Sequence, residues 1–161
     1  MTMDRPDQEL LDIIASTGWA VITVSTDALG PGFAYSIGLY ATFQHPEIII
    51  VGLDLDIAHG LINDIGSAIR QGAHMRAGET SDAFLEDYPC TFRRVPPHQY
   101  RAYLGRALWY YGDRPFPTLQ LIYPDRLRRW PWEAGAHPGF RRQQPVLADE
   151  PAPPWASGPA A

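Results

Sequence analysis

His45 and Glu47 flank Pro46 within the stretch FAYSIGLYATFQHPEIII, residues 33 to 50. Proline fixes its own φ and holds the residue before it extended, and in an extended chain side chains two apart share a face. A histidine–carboxylate pair is therefore within reach. Such a pair orients an imidazole and raises its basicity, as a general base requires. His45 and Glu47 are the candidate catalytic residues on this reading. The competing reading is a polar turn leading into a buried strand, with Glu47 at the strand's edge.

Other reactive residue types are weaker candidates. Ser36 precedes Gly38 at the spacing of a hydrolase nucleophile elbow, but Ala34 stands where that motif needs its first glycine. Cys90 is the one cysteine, so neither an internal disulfide nor a cysteine-rich zinc site can form, and it reads as a small buried residue. Asp54, Asp56 and His59 have metal-compatible side chains. However, acids at positions 54 and 56 suit a helix N-terminus, and the chain has no HExxH, HxH or His-x3-His spacing. The GPG at 30 to 32 is too short to cradle a phosphate, and its proline removes a donor. No metal and no cofactor is expected.

The segment RLRRWPWEAG places Arg126, Arg128 and Arg129 beside Trp130 and Trp132. Arginine next to aromatic faces can stack on bases or clamp an anion, while the same tryptophans can strap a chain end over a sheet. The strap is the preferred reading, with the arginines rimming a cleft. The chain also has more polar-tipped aromatic rings than a core of this size would bury completely. Small-ligand pockets use such rings with a few fixed polar groups. The candidate ligand-binding set is Tyr35, Ser36, Gln120, Tyr123, Arg129, Trp130 and Trp132. The expectation is that His45, Glu47, Gln120 and Tyr123 converge on one hollow beside the strap.

Local patterns supply the elements that must position these residues. Residues 4 to 17 read as a helix, with Asp4 as a cap, Pro6 in the first turn, an apolar stripe from Leu10 to Ile14, and Gly18 as the stop. WAVITVS and FAYSIGL alternate as two strands around the turn TDALGPG, and EIIIVGL reads as a strand buried on both faces. Asp54 then caps a helix whose apolar residues run from Ala58 to Ile69. Residues 73 to 87 show no clear period and have room for a short strand and a loop. A strand over 88–95, one helix over 96–113 and a strand over 117–125 follow. The result is an α+β single domain over residues 1–147, with a largely antiparallel or mixed sheet of about five strands and about three helices. Residues 148–161 form a Pro/Ala-rich tail, read as disordered.

With 45% apolar and 19% charged residues, the composition is that of a globular chain. The formal net charge of −5 opposes phosphate-rich partners. The acidic start and the lack of a long apolar run suggest a cytoplasmic protein without a membrane span.

GWAVITV, FAYSIGL and HPEIIIVGLD, followed far downstream by LQLIYPDRLRRWPWEAG, resemble in that order the bacterial family called domain of unknown function 4262. The resemblance covers residues 10 to 147. It implies a small bacterial protein and supplies no catalytic residues. From the residues themselves, a small-molecule- or protein-binding accessory domain ranks first. A hydrolase or transferase using His45 and Glu47 comes next, and nucleic-acid binding through the Arg/Trp segment comes last.

Overall fold

The structure, a computed structural model, describes residues 4–152. The chain runs through α1 (Arg5–Thr17), β1 (Ala20–Val24), β2 (Phe33–Ile37), a short α2 (Leu39–Phe43) and β3 (Glu47–Val51). It continues with α3 (Leu55–Arg70), a two-residue β4 (Thr80–Ser81) and β5 (Cys90–Arg94). A 3-10 turn at Pro97–Gln99 leads into α4 (Tyr100–Tyr103) and α5 (Gly105–Tyr111), followed by β6 (Thr118–Ile122) and α6 (Pro138–Gln143). The strands form one mixed sheet in the order β1-β2-β3-β6-β5-β4. The central pair, β3 and β6, is parallel, and every other pair is antiparallel. The domain is α+β, as the sequence predicts, with six strands and six α-helices among the described residues.

Side-chain alternation divides the core between the two faces. Ile48 and Ile50 of β3 join Leu61, Ile62 and Ile65 of α3 on one face. Ile49 and Val51 join Leu10 and Ile14 of α1 and Leu104 and Tyr111 of the α4–α5 region on the other. All five β3 residues are buried, which is why EIIIV reads as an almost unbroken apolar run. Asp54 caps α3 by accepting from the Asp56 and Ile57 amides at 3.0 and 3.1 Å. Asp4 takes the N-cap position of α1 without a side-chain bond to it.

Three local outcomes differ from the sequence reading. The helix expected over 96–113 is broken at Leu104 (φ −117°, ψ 36°), a fully buried residue followed by Gly105. Glycine weakens a helix interior, and the break turns Leu104 into the core. Leu39, read as the end of the strand FAYSIGL, instead opens α2 (Leu39–Phe43), which is bracketed by Gly38 (φ 116°) and Gln44 (φ 56°). The strap contains α6, which starts at Pro138 and is capped by His137 Nδ1 accepting from the Gly139 amide at 2.9 Å.

The tail read as disordered from residue 148 is described only to 152, and its remainder lies outside the described residues. In the described part, Arg93 donates to the Glu150 and Pro151 carbonyls at 2.6 and 2.8 Å. Among the described residues, no helix is long and apolar enough to cross a membrane.

Trp19 pegs the helices to the sheet edge. Its indole N–H donates to Asn63 at 3.0 Å, and the Arg70 guanidinium lies 5.0 Å from its ring centroid. A Cβ on Gly66 of α3 would stand 2.5 Å from that ring. Replacing a helical glycine by alanine ordinarily stabilises by about 1 kcal/mol, whereas overpacking costs about 1–3 kcal/mol. Because Trp19 is held by its hydrogen bond, overpacking wins. Gly66→Ala is expected to lower unfolding stability by about 1–2 kcal/mol in urea denaturation, and a stabilised variant would contradict this packing.

Candidate functional site

Glu47, at the start of β3, is fully buried and surrounded by donors. Its Oε1 accepts from the Ser36 hydroxyl at 2.7 Å and the Leu39 amide at 3.1 Å. Its Oε2 accepts from the Gly38 and Tyr40 amides at 2.9 and 3.3 Å, and from the Tyr111 hydroxyl. The amides are the free N–H groups at the start of α2, which a helix of this length has no other means to satisfy. The next amide, that of Ala41, donates to the Tyr111 oxygen at 3.2 Å. The Ser36 oxygen likewise accepts from the Ile48 amide at 2.9 Å. Both hydroxyls, already accepting from backbone, direct their own protons at Glu47. Burial raises the Glu47 pKa, while the bonds from Tyr111, Ser36, Gly38 and Tyr40 act to lower it. Five donors converge on the two oxygens, an arrangement that suits the anion and opposes the burial that keeps the pKa above the ordinary carboxylate value.

His45 does not pair with Glu47. Its Nδ1 donates to the Pro46 carbonyl at 2.8 Å, and its Nε2 accepts from the Met75 amide at 2.9 Å. A carbonyl can only accept and an amide N–H can only donate, so these partners select the neutral Nδ1–H tautomer. The His74 ring, on the exposed side, packs edge-on with its centroid 4.7 Å away. Burial, and to a lesser degree His74, lowers the His45 pKa. The imidazole is 1% exposed and fastens the loop after α3 to the start of β3.

The expected convergence on one hollow is not met, and the sheet register is the reason. β3 and β6 run parallel with Glu47 level with Thr118. Tyr123 therefore lies five residues further along, about 16 Å at the usual strand rise of about 3.3 Å per residue. Its hydroxyl donates to the Val51 carbonyl at 3.1 Å, at the far end of β3. Gln120 is fully buried, donating to Pro145 and accepting from the Leu147 amide. Tyr35 accepts from the Arg106 amide at 3.1 Å, and Ser36 belongs to the Glu47 cage. Trp130 and Trp132 stack with centroids 5.5 Å apart, and the Arg93 guanidinium of β5 lies 5.5 Å from the Trp132 ring.

At the carboxyl ends of β3 and β6 lies a cleft of about 390 Å³. Tyr123 and Phe140 meet edge-on in it at 5.9 Å. Leu53 and Leu85 add apolar wall, and Leu85 and Tyr88 also line a second hollow beside Asp82 and Arg128. The α6 side is fixed by two glutamines. Gln144, fully buried, exchanges hydrogen bonds with the Tyr123 backbone at 3.0 and 2.8 Å, and Gln143 donates to the Gly52 carbonyl at 2.6 Å. Gly52 has φ +86°, and a Cβ there would fall 2.0 Å from the Gln143 carbonyl oxygen, so only glycine allows this approach. At the rim, Asp125 accepts from the Arg129 side chain and from the Leu127 and Arg129 amides, all at 2.9 Å, which lower its pKa against a desolvation that raises it.

Of the ligand-binding set, Tyr123 lines this cleft and Arg129 supports it through Asp125. Leu53, Leu85, Tyr88, Phe140, Gln143 and Arg126 were not legible as a group, because only the parallel pairing of β3 with β6 brings them together. Among the described residues, no three His, Cys, Asp or Glu side chains are grouped to hold a metal ion.

A mixed sheet with helices on both faces and a ligand-sized cleft where its parallel strands end defines a small α+β domain. The chain belongs to the family described as domain of unknown function (DUF4262), whose model matches residues 13–137. All four segments that carry the resemblance fall inside that span. No curated protein and no solved structure matches the chain.

The Glu47 cage and the His45 latch each predict a stability effect. In Glu47→Gln an amide N–H₂ would face backbone or hydroxyl donors in place of one carboxylate oxygen. At about 1–3 kcal/mol for each unsatisfied buried donor, the expected loss is about 3 kcal/mol or more in urea denaturation. A loss under about 1 kcal/mol would mean that the native carboxyl is protonated. His45 has its folded-state pKa below the ordinary 6.5, so the unfolded chain takes up its proton first as pH falls. Its contribution is complete above about pH 6.5 and declines below it, toward the folded pKa. Between about pH 7.5 and 5.5, the parent protein is expected to lose more stability than His45→Gln; equal losses would contradict a neutral, buried imidazole.

Proposed function

We propose that the protein is a small-molecule-binding domain, with regulatory or accessory use, whose ligand sits in the cleft at the carboxyl ends of β3 and β6. The observation that carries this reading is the cleft itself. Three aromatic rings, Tyr88, Tyr123 and Phe140, line a space of about 390 Å³, within the ordinary range for small ligands. The loops following adjacent parallel strands are also where sheets of this kind ordinarily open a crevice. Its walls are preorganised by Gln143, Gln144 and Gly52, so little conformational freedom need be lost on binding.

The acid–base reading has less support. Each His45 nitrogen and each Glu47 oxygen already has a protein partner, and both side chains are buried. An attacking group would first have to displace those contacts.

A thermal-shift screen of aromatic and amphipathic metabolites tests the proposal, using Leu85→Trp to fill the cleft. A ligand at about a hundred times its dissociation constant stabilises by about 2.7 kcal/mol, a midpoint rise of about 5–10 °C for a domain of this size. The expected result is at least one such shift that Leu85→Trp abolishes while its own midpoint stays near the parent's. No shift with any compound, or shifts unchanged in the filled variant, would overturn it.

A further inference from the structure

We infer that the cleft is selective for an aromatic or apolar molecule bearing a carboxylate, which Arg126 receives; this rests on the cleft reading above. The inference comes from an inventory of the polar groups around the cleft. The Tyr123 hydroxyl proton is committed to the Val51 carbonyl, and one N–H of the Gln143 side-chain amide to the Gly52 carbonyl at 2.6 Å. The Tyr88 hydroxyl points to the Arg126 carbonyl at 3.5 Å. Asp125 is the lining carboxylate, and its two oxygens are taken by Arg129 and the Leu127 and Arg129 amides. Its charge is also balanced by the ion pair with Arg129.

Arg126 differs from its neighbours. Arg128 donates to the Asp87 carbonyl at 2.7 Å and lies over the Tyr88 ring, and Arg129 holds Asp125. Arg126 lines the cleft, and its side chain makes no hydrogen bond, ion pair or ring contact among the described residues. Apart from the second N–H of Gln143, the uncommitted side-chain donors at this cleft are therefore those of a guanidinium, and the local charge left unbalanced is positive. A planar carboxylate matches the fork of an arginine in shape and charge, while the rings of Tyr123, Phe140 and Tyr88 suit a flat apolar body. The chain's overall negative charge does not decide this, because the exposed acids elsewhere are screened over about 8–10 Å of salt solution.

Three probes of one shape separate the inference from the reading beneath it: naphthalene-2-carboxylate, neutral 2-naphthylmethanol and cationic 2-naphthylmethylammonium, titrated into the full chain by calorimetry. The carboxylate is expected to bind on the order of tenfold or more tighter than the neutral probe, with the ammonium weakest. Arg126→Gln is expected to remove that preference and leave the neutral probe's affinity unchanged. Arg126 is exposed and unpaired, so this variant keeps its fold. Equal binding of carboxylate and methanol by the parent, or a preference that survives in Arg126→Gln, overturns the selectivity while the cleft still binds. Binding of none of the three by the parent overturns the cleft reading along with it.

Discussion

A buried carboxylate organises the centre of this protein. Glu47 begins the central strand, and its two oxygens collect the amides that open α2, the hydroxyl of Ser36 from the neighbouring strand and the hydroxyl of Tyr111 from the helix layer. A five-residue helix does not persist by itself, because nucleation costs more than one turn of hydrogen bonds returns. Here an internal anion supplies what the helix lacks. The same charge ties β2, β3, α2 and α5 into one unit, so a single side chain couples the sheet to a helix layer. His45 extends that unit by fastening the loop after α3.

The two ends of the parallel pair thus have different work. The amino end of β3 is closed around Glu47, whose two carboxyl oxygens are both hydrogen-bonded. At the carboxyl ends of β3 and β6 the chain leaves in two directions, toward α3 and toward the Arg/Trp segment, and the space between them becomes the cleft. α6 and the paired glutamines hold that space open, with Gly52 permitting the close approach of backbone to backbone. Structural polarity and candidate binding surface are about a strand length apart. The binding end can therefore vary in its side chains without disturbing the anion that holds the fold.

The sequence reading succeeded where local signals were strong. Gly18, Asp54 and the apolar periodicity of α3 placed two helices, and the almost unbroken apolar run EIIIV identified a strand buried on both faces. It went astray where tertiary contacts override local preference. His45 and Glu47 have the residue types of a catalytic pair, but position alone could not show that the Met75 amide and the start of α2 would claim them. The link from Tyr111 to Glu47, 64 positions away, has no local trace. The cleft was only partly visible for the same reason. Tyr123 could be picked out as a polar-tipped ring, whereas Phe140 and Leu85 acquire meaning only once β6 is placed parallel to β3.

The account depends most on the charge state of Glu47, which a direct spectroscopic observation can settle. In protein carrying ¹³C-labelled glutamate, the side-chain carboxyl carbon of Glu47 can be followed through a pH titration. An ionised keystone predicts a resonance that stays at the carboxylate position at neutral pH and moves only as the fold is lost in acid. A resonance at the protonated position at neutral pH, in a fully folded protein, would contradict the donor cage on which the structure is built.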